Sequence, residues 1–166
     1  MLSPFVHKYL LNALSGTPDV LEGFLKSMPD ENPLWDFRPY PERFTLREVV
    51  AHLADWEPIF LERMARIRNE TEPVLLSYDE GQFALDNDYA HQSPQANLIR
   101  FREGRERMFV FLGTVQPGDW ERSGLFNPPD SIIVSLESWV VQVLGHDGYH
   151  TQQVAQWLAL YHGPGE

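Results

Sequence analysis

Three histidines have a spacing that lets them meet at one point. His146 and His150 are four residues apart in a segment that reads as helix. At about 100° per residue, both rings leave the same helix face one turn apart. One helix can in this way give two imidazole nitrogens to one metal ion. The intervening residues are Asp147, Gly148 and Tyr149, so the glutamate of the H-E-x-x-H protease motif is absent. His52 lies at the edge of the apolar stripe of another helical segment. Metal sites in helix bundles are built from inward-facing side chains on neighbouring helices, and three neutral imidazoles suit Zn2+ or Ni2+. Three protein ligands leave a position open for water or substrate, which a closed structural site does not need. The competing reading makes the same rings hydrogen-bonded residues at the edge of a core.

Two further side chains are candidates for supporting roles. Asp55, one turn after His52, could orient a ligand ring or act as a base. Its wheel position lies further from the stripe, which also fits a solvated or capping role. Gln153 is on the histidine side of its helix and could bond a water or substrate, or simply satisfy backbone. Tyr149 and Trp56 read as core or surface residues, and His7, His91 and His162 receive no role. No general base is evident near the triad.

These residues must be carried by helices. A first helical segment runs from Pro4 to Ser27, punctuated by Gly16, with Thr17 and Pro18 reading as a cap and first-turn proline. Prolines 29, 33, 39 and 41 make 29–44 an extended connection. Thr45 and Glu48 form a capping box. Leu46, Val49, Leu53, Trp56, Phe60, Met64 and Ile67 then recur at steps of three and four to about Asn69. Pro58 should kink that helix near residue 54. Residues 70–92 read as a long loop with a helical turn near Glu80 to Leu85. A third segment runs from Ser93 to about Thr114, with Leu98, Phe101, Arg105 and Met108 on its buried side. Residues 116–134 read as a second loop, in which Ile132-Ile133-Val134 is too short to build a sheet. A fourth segment runs from Ser135 to about Tyr161. The expected fold is an all-α four-helix bundle, a single domain over 1–166. Its long connection between the second and third helices need not follow up-down-up-down order.

Composition narrows the function. The chain has 166 residues, no cysteine, and 13 basic against 24 acidic residues for a net charge of −11. Thiolate ligands, disulfides and cysteine nucleophiles are excluded. The acidic balance, with no basic patch, argues against nucleic acid as a partner. No run of about 18 apolar residues is present, so no membrane span is expected. The start lacks the features of a signal peptide, and a cytoplasmic location is the expectation.

Two blocks also carry a resemblance. The first is Trp35-Asp36-Phe37-Arg38-Pro39 followed by Phe44-Thr45-Leu46-Arg47-Glu48-Val49-Val50-Ala51-His52-Leu53-Ala54-Asp55-Trp56-Glu57. The second is Gly145-His146-Asp147-Gly148-Tyr149-His150-Thr151-Gln152-Gln153-Val154. With them the chain resembles the DinB/YfiT-like superfamily of four-helix-bundle proteins. The resemblance implies a divalent metal, Zn or Ni, on His52, His146 and His150, with Gln153 at the family's following glutamine, and often a homodimer. Some members use the metal to activate a low-molecular-weight thiol such as bacillithiol or mycothiol. The expected function is therefore a metal-dependent thiol transferase acting on a small electrophile, or a hydrolase. The alternative is a non-catalytic metal- or ligand-binding stress-response module. A homodimer also fits the aromatic load of five Trp, ten Phe and six Tyr. There are departures. Phe44 stands where a tryptophan is common, and 123–134, with Phe126, Pro128 and Pro129, lacks the family's histidine- and glycine-containing loop. The substrates of better-known members are therefore not carried over.

Overall fold

The computed structural model describes residues 2–127 and 132–162; Pro128 and Pro129 lie outside them. Four long helices, α1 (Pro4–Leu25), α2 (Leu46–Asn69), α4 (Pro94–Leu112) and α5 (Leu136–His162), form the body, with a short α3 (Glu80–Asp86) between α2 and α4. Their starts follow from local chemistry. Ser3, Thr45, Asp79 and Ser93 each accept a first-turn N–H at a helix N-terminus. At α2 the box is reciprocal: Thr45 Oγ1 accepts from the Glu48 amide at 3.2 Å, and Glu48 accepts from the Thr45 amide at 2.8 Å.

The core falls into two apolar clusters. One gathers Leu10 and Leu14 of α1, Phe60, Met64 and Ile67 of α2, Met108 and Leu112 of α4, and Trp139, Val140 and Val143 of α5. The other gathers Leu21 and Leu25, Val49 and Leu53, Leu98 and Phe101, and Val154 and Trp157. The first cluster takes the early part of α1 and α5 and the late part of α2 and α4; the second takes the reverse. Helices α1 and α5 therefore run together, and α2 and α4 run together in the opposite sense. A parallel α2–α4 pair requires a connection that travels the length of the bundle, which is why 70–93 is long.

A polar layer separates the clusters. Arg105 of α4 is buried at 2% exposure, and all five of its N–H donors find acceptors. Nε and Nη2 donate to Glu57 of α2 at 3.1 and 2.6 Å. Nη1 and Nη2 donate to Asp147 of α5 at 2.7 and 3.0 Å. Nη1 also donates to the Leu14 carbonyl of α1 at 2.6 Å. That carbonyl is the one that an amide at position 18 would bond in a regular helix, and Pro18 has none. Thus Gly16, Thr17 and Pro18 do not interrupt α1; the arginine takes the freed acceptor and the helix is continuous. Gly104 serves the same layer, because a Cβ there would meet Glu57 Cβ at 2.5 Å. Helix α2 likewise continues through Pro58.

The expectation that no sheet forms is corrected. Strands β1 (Val74–Leu75), β2 (Ser123–Phe126) and β3 (Ile132–Ser135) make a small sheet in that order. Leu125 is opposite Val74 in the parallel pair and Ile133 in the antiparallel pair. The strands are too short for a periodic signal, and β1 meets its partner from far away in sequence. Gly124 is required where β2 passes Pro73, because a Cβ there would meet the Pro73 carbonyl oxygen at 2.7 Å. No helix among the described residues is long and apolar enough to cross a membrane.

Burial pushes the carboxyls of Glu57 and Asp147 up, against the lowering effect of Arg105, while the arginine stays charged because their bonds outweigh its own burial. Replacing Arg105 by Leu leaves both acids buried without their counter-ion. The expected loss is about 3–5 kcal/mol in urea unfolding. Both carboxyls then hold protons to a higher pH in the fold than in the unfolded chain. The deficit is therefore largest at neutral pH and shrinks as the pH falls toward about 4.

Candidate metal centre

The three sequence-selected histidines come together beside this polar layer. Their nearest ring nitrogens all lie within 4.8 Å of one another. Ring centroids are separated by 4.9 Å (His52–His146), 4.7 Å (His52–His150) and 4.6 Å (His146–His150). His52 is fully buried, and His150 is 4% exposed. Each ring is aimed by its helix, and the rotation of α5 is fixed at Asp147, next to His146, by the bonds to Arg105.

Aromatic side chains line the cluster. Trp56 lies 4.2 Å from His52, Phe60 5.1 Å from His146, and Tyr149 5.0 Å from His150 between ring centroids. This dry setting disfavours imidazolium. Burial, then the neighbouring histidines, lowers the pKa of His52 far below its ordinary value. Burial, with His150 and Arg105 adding to it, lowers His146 to about 3. Burial lowers His150 to about 4, against a raising contribution from Gln153. All three rings are neutral at pH 7, the form that ligates metals.

The hydrogen bonds set the donor atoms. Gln153 Nε2 donates to the Phe44 carbonyl at 2.9 Å, so its Oε1 faces His150 and accepts from Nδ1–H at 3.2 Å. That leaves the His150 Nε2 lone pair available, the orientation a metal ligand needs. His52 Nε2 and His146 Nε2 approach to 2.8 Å. Their Nδ1 atoms are buried and have no protein partner. Placing both ring protons on Nδ1 turns both Nε2 lone pairs inward, and a separation of about 3.3 Å, reached by a small opening, suits a tetrahedral ion. The residues therefore fit a divalent cation with three imidazole ligands.

Asp55 is brought elsewhere. It pairs with Arg100 of α4, and its carboxylate is not among the groups that converge on the histidines. Trp56 and Tyr149 are both in ring contact with the cluster, Trp56 buried and Tyr149 exposed. A cleft of about 210 Å³ opens beside the cluster, with Arg43, Phe44, Glu80, Tyr149, His150 and Gln153 in its walls. His150 belongs to both cluster and cleft. The sequence reading did not find Arg43 and Glu80, which sit in the proline-rich connection and in the α2–α4 crossover.

Residues 13–154 match the family model of the DinB superfamily. The chain belongs to the DinB superfamily. YfiT of Bacillus subtilis (strain 168), to which metal-dependent hydrolysis is ascribed, is 26% identical over 113 residues, 68% of this chain and 63% of YfiT. The match thus spans less than two thirds of that relative's length. The solved structure of YfiT, described as having an unusual four-helix-bundle topology, superposes with a TM-score of 0.85 at 23% identity, over 95% of this chain and 88% of that one. At that identity the superposition establishes the DinB-type fold.

The histidine pKa values give a pH prediction for chelator-treated protein. The unfolded chain protonates its histidines near pH 6.5, whereas folded His146 and His150 resist to about 3 and 4. Their contribution to stability is complete above about pH 6.5 and is lost as the pH falls through that window. Urea midpoints should therefore drop between pH 7 and pH 4.5, more steeply in the parent than in His150→Gln.

Proposed function

We propose that the protein binds one divalent cation, Zn2+ or Ni2+, on His52, His146 and His150, and activates a low-molecular-weight thiol for transfer to a small electrophile. The observation that carries this reading is the opening of a three-imidazole cluster into a cleft through His150. His52, His146 and His150 would hold such an ion, and three neutral rings would leave its charge uncompensated, so that it would lower the pKa of a thiol or water beside it. The chain's own residues do the rest. Gln153 holds the His150 tautomer, Trp56 and Phe60 keep water from the inner rings, and the cleft admits a small molecule. In the transfer, the thiol gives its proton to solvent water, its sulfur bonds to the electrophilic carbon, and that carbon's bond to the leaving group breaks, the leaving group departing with the electron pair and taking up a proton from water.

Hydrolysis is the second reading, favoured by the activity ascribed to YfiT and by Glu80 in the cleft wall. Partial burial, then Asp79, raises the Glu80 carboxyl, which makes it a better proton acceptor for an attacking water. A purely structural metal site has no need of the cleft.

Elemental analysis of protein purified without a metal-affinity tag tests the site. The parent should carry about one equivalent of Zn or Ni and His150→Ala much less. No metal in the parent, even after exposure to Zn2+ or Ni2+, removes this function.

We also propose a homodimer. The tryptophans do not support it, because Trp35, Trp56, Trp120, Trp139 and Trp157 are all buried. Support comes instead from exposed apolar side chains on α1, Phe5, Tyr9, Val20 and Phe24, continued by Val141 on α5. Light scattering on gel-filtered protein should give twice the chain mass at micromolar concentration; the monomer mass refutes the dimer.

A further inference from the structure

Arg43 differs from the other arginines of the described chain. Arg38, Arg47, Arg66, Arg100, Arg102, Arg105 and Arg107 each pair with a carboxylate. Arg63 and Arg122 are held by backbone carbonyls, and Arg68 by the Thr114 hydroxyl at 2.7 Å. Like Arg63, Arg68 and Arg122, Arg43 makes no ion pair among the described residues, in a chain with 24 acidic residues against 13 basic ones; what sets it apart is an unsatisfied N–H beside the cleft. Its plane is fixed by stacking, with the guanidinium carbon 4.6 Å from the Trp157 ring centroid and 5.4 Å from that of Tyr149. Nη1 donates to Gln156 Oε1 at 3.1 Å, and Nη2 makes only a long bond to the Tyr149 hydroxyl at 3.3 Å. Its Nε–H is buried without an acceptor. A charged donor left in this state is costly. The side chain stands in the wall of the cleft that His150 also lines.

We propose that Arg43 anchors an oxyanion of the substrate, a carboxylate or a phosphoryl group, in the cleft beside the histidine cluster. A guanidinium edge offers parallel N–H donors that match two oxygens of such a group. No carboxylate among the described residues pairs with it. Glu42 and Glu80 share the cleft and disfavour a polyanion. A second cavity of about 260 Å³ continues past Arg43 and Phe44 to Ala84, Leu85 and Tyr89, with Arg38, Glu48 and Asp88 also in its walls, giving the remainder of the molecule both apolar and polar surface. The class that fits is a small molecule with one oxyanion and a body of mixed polarity. Its meaning for the reaction rests on the cluster being the reactive centre; the binding of the anion does not.

The test is titration of the Arg43 Nε–H signal in nitrogen–proton correlation spectra, assigned by its loss in Arg43→Lys. Propionate, methyl phosphate and neutral propionamide are added in turn to zinc-treated protein and to the same protein after chelation. A saturable shift with an anion, in the millimolar range expected of a lone ionic contact and absent with propionamide, supports the proposal. Which of the two anions produces it separates carboxylate from phosphoryl. Calorimetry should show that anion bound about tenfold more weakly by Arg43→Gln, with zinc content and circular dichroism unchanged. No shift with either anion, an equal shift with propionamide, or a shift abolished by chelation overturns it; the last places the anion on the ion. Failure of the parent to take up zinc defeats the metal reading alone and leaves the chelated titration to decide on Arg43.

Discussion

One guanidinium holds the bundle in register. Arg105 reaches an acceptor on each of the other three long helices, at Leu14, Glu57 and Asp147. Leucine packing sets how close helices come but tolerates small rotations; two bidentate carboxylates do not. Asp147 follows His146 directly, and Glu57 lies five residues beyond His52. The bonds that fix these acids therefore fix the directions of the imidazoles. Buried ion pairs add little net stability compared with apolar replacements. What this one supplies is a single allowed setting of α2 and α5.

The polar layer and the histidine cluster sit side by side with opposite electrostatics. The ion network keeps its charges because each guanidinium proton has an acceptor. The imidazoles, walled by Trp56, Phe60 and Phe44, stay uncharged because nothing nearby compensates a proton. Low polarity costs both groups hydration, and partner supply decides which ionises. Arg43 stands on the cleft side of the cluster, stacked on Trp157 and without an acid among the described residues.

Much of this was legible in the residues. The capping box at Thr45, the three-four spacing along α2 and the proline start of α4 are local signals, and the helices follow them; the Thr17-Pro18 cap read within α1 misled, because the helix runs through it. The histidine triad was legible because its spacing on α5 and its stripe-edge position on α2 are also local. Arg105 was visible as an arginine on an apolar stripe, but its partners lie 48 and 42 residues away, and no periodicity links them. The sheet was missed for the same reason, since Val74 and Leu125 pair across the chain. Asp55 shows the converse case, a residue for which two roles stood open. One turn from His52 along a helix is close in sequence, yet the turn of the helix gives it to Arg100.

The distribution of the cluster along the chain has a consequence for its biogenesis. His52 and His146 are separated by 94 positions, and the last two rings lie on the final helix. During synthesis α1, α2 and α4 emerge with His52 alone, and with an arginine whose second acid has not yet been made. A lone imidazole binds metal weakly. The complete ring set, and the Asp147 that sets its direction, arrive in one step when α5 leaves the ribosome and docks. The centre therefore cannot be assembled before α5 has been made, and chains truncated before α5 are left without it.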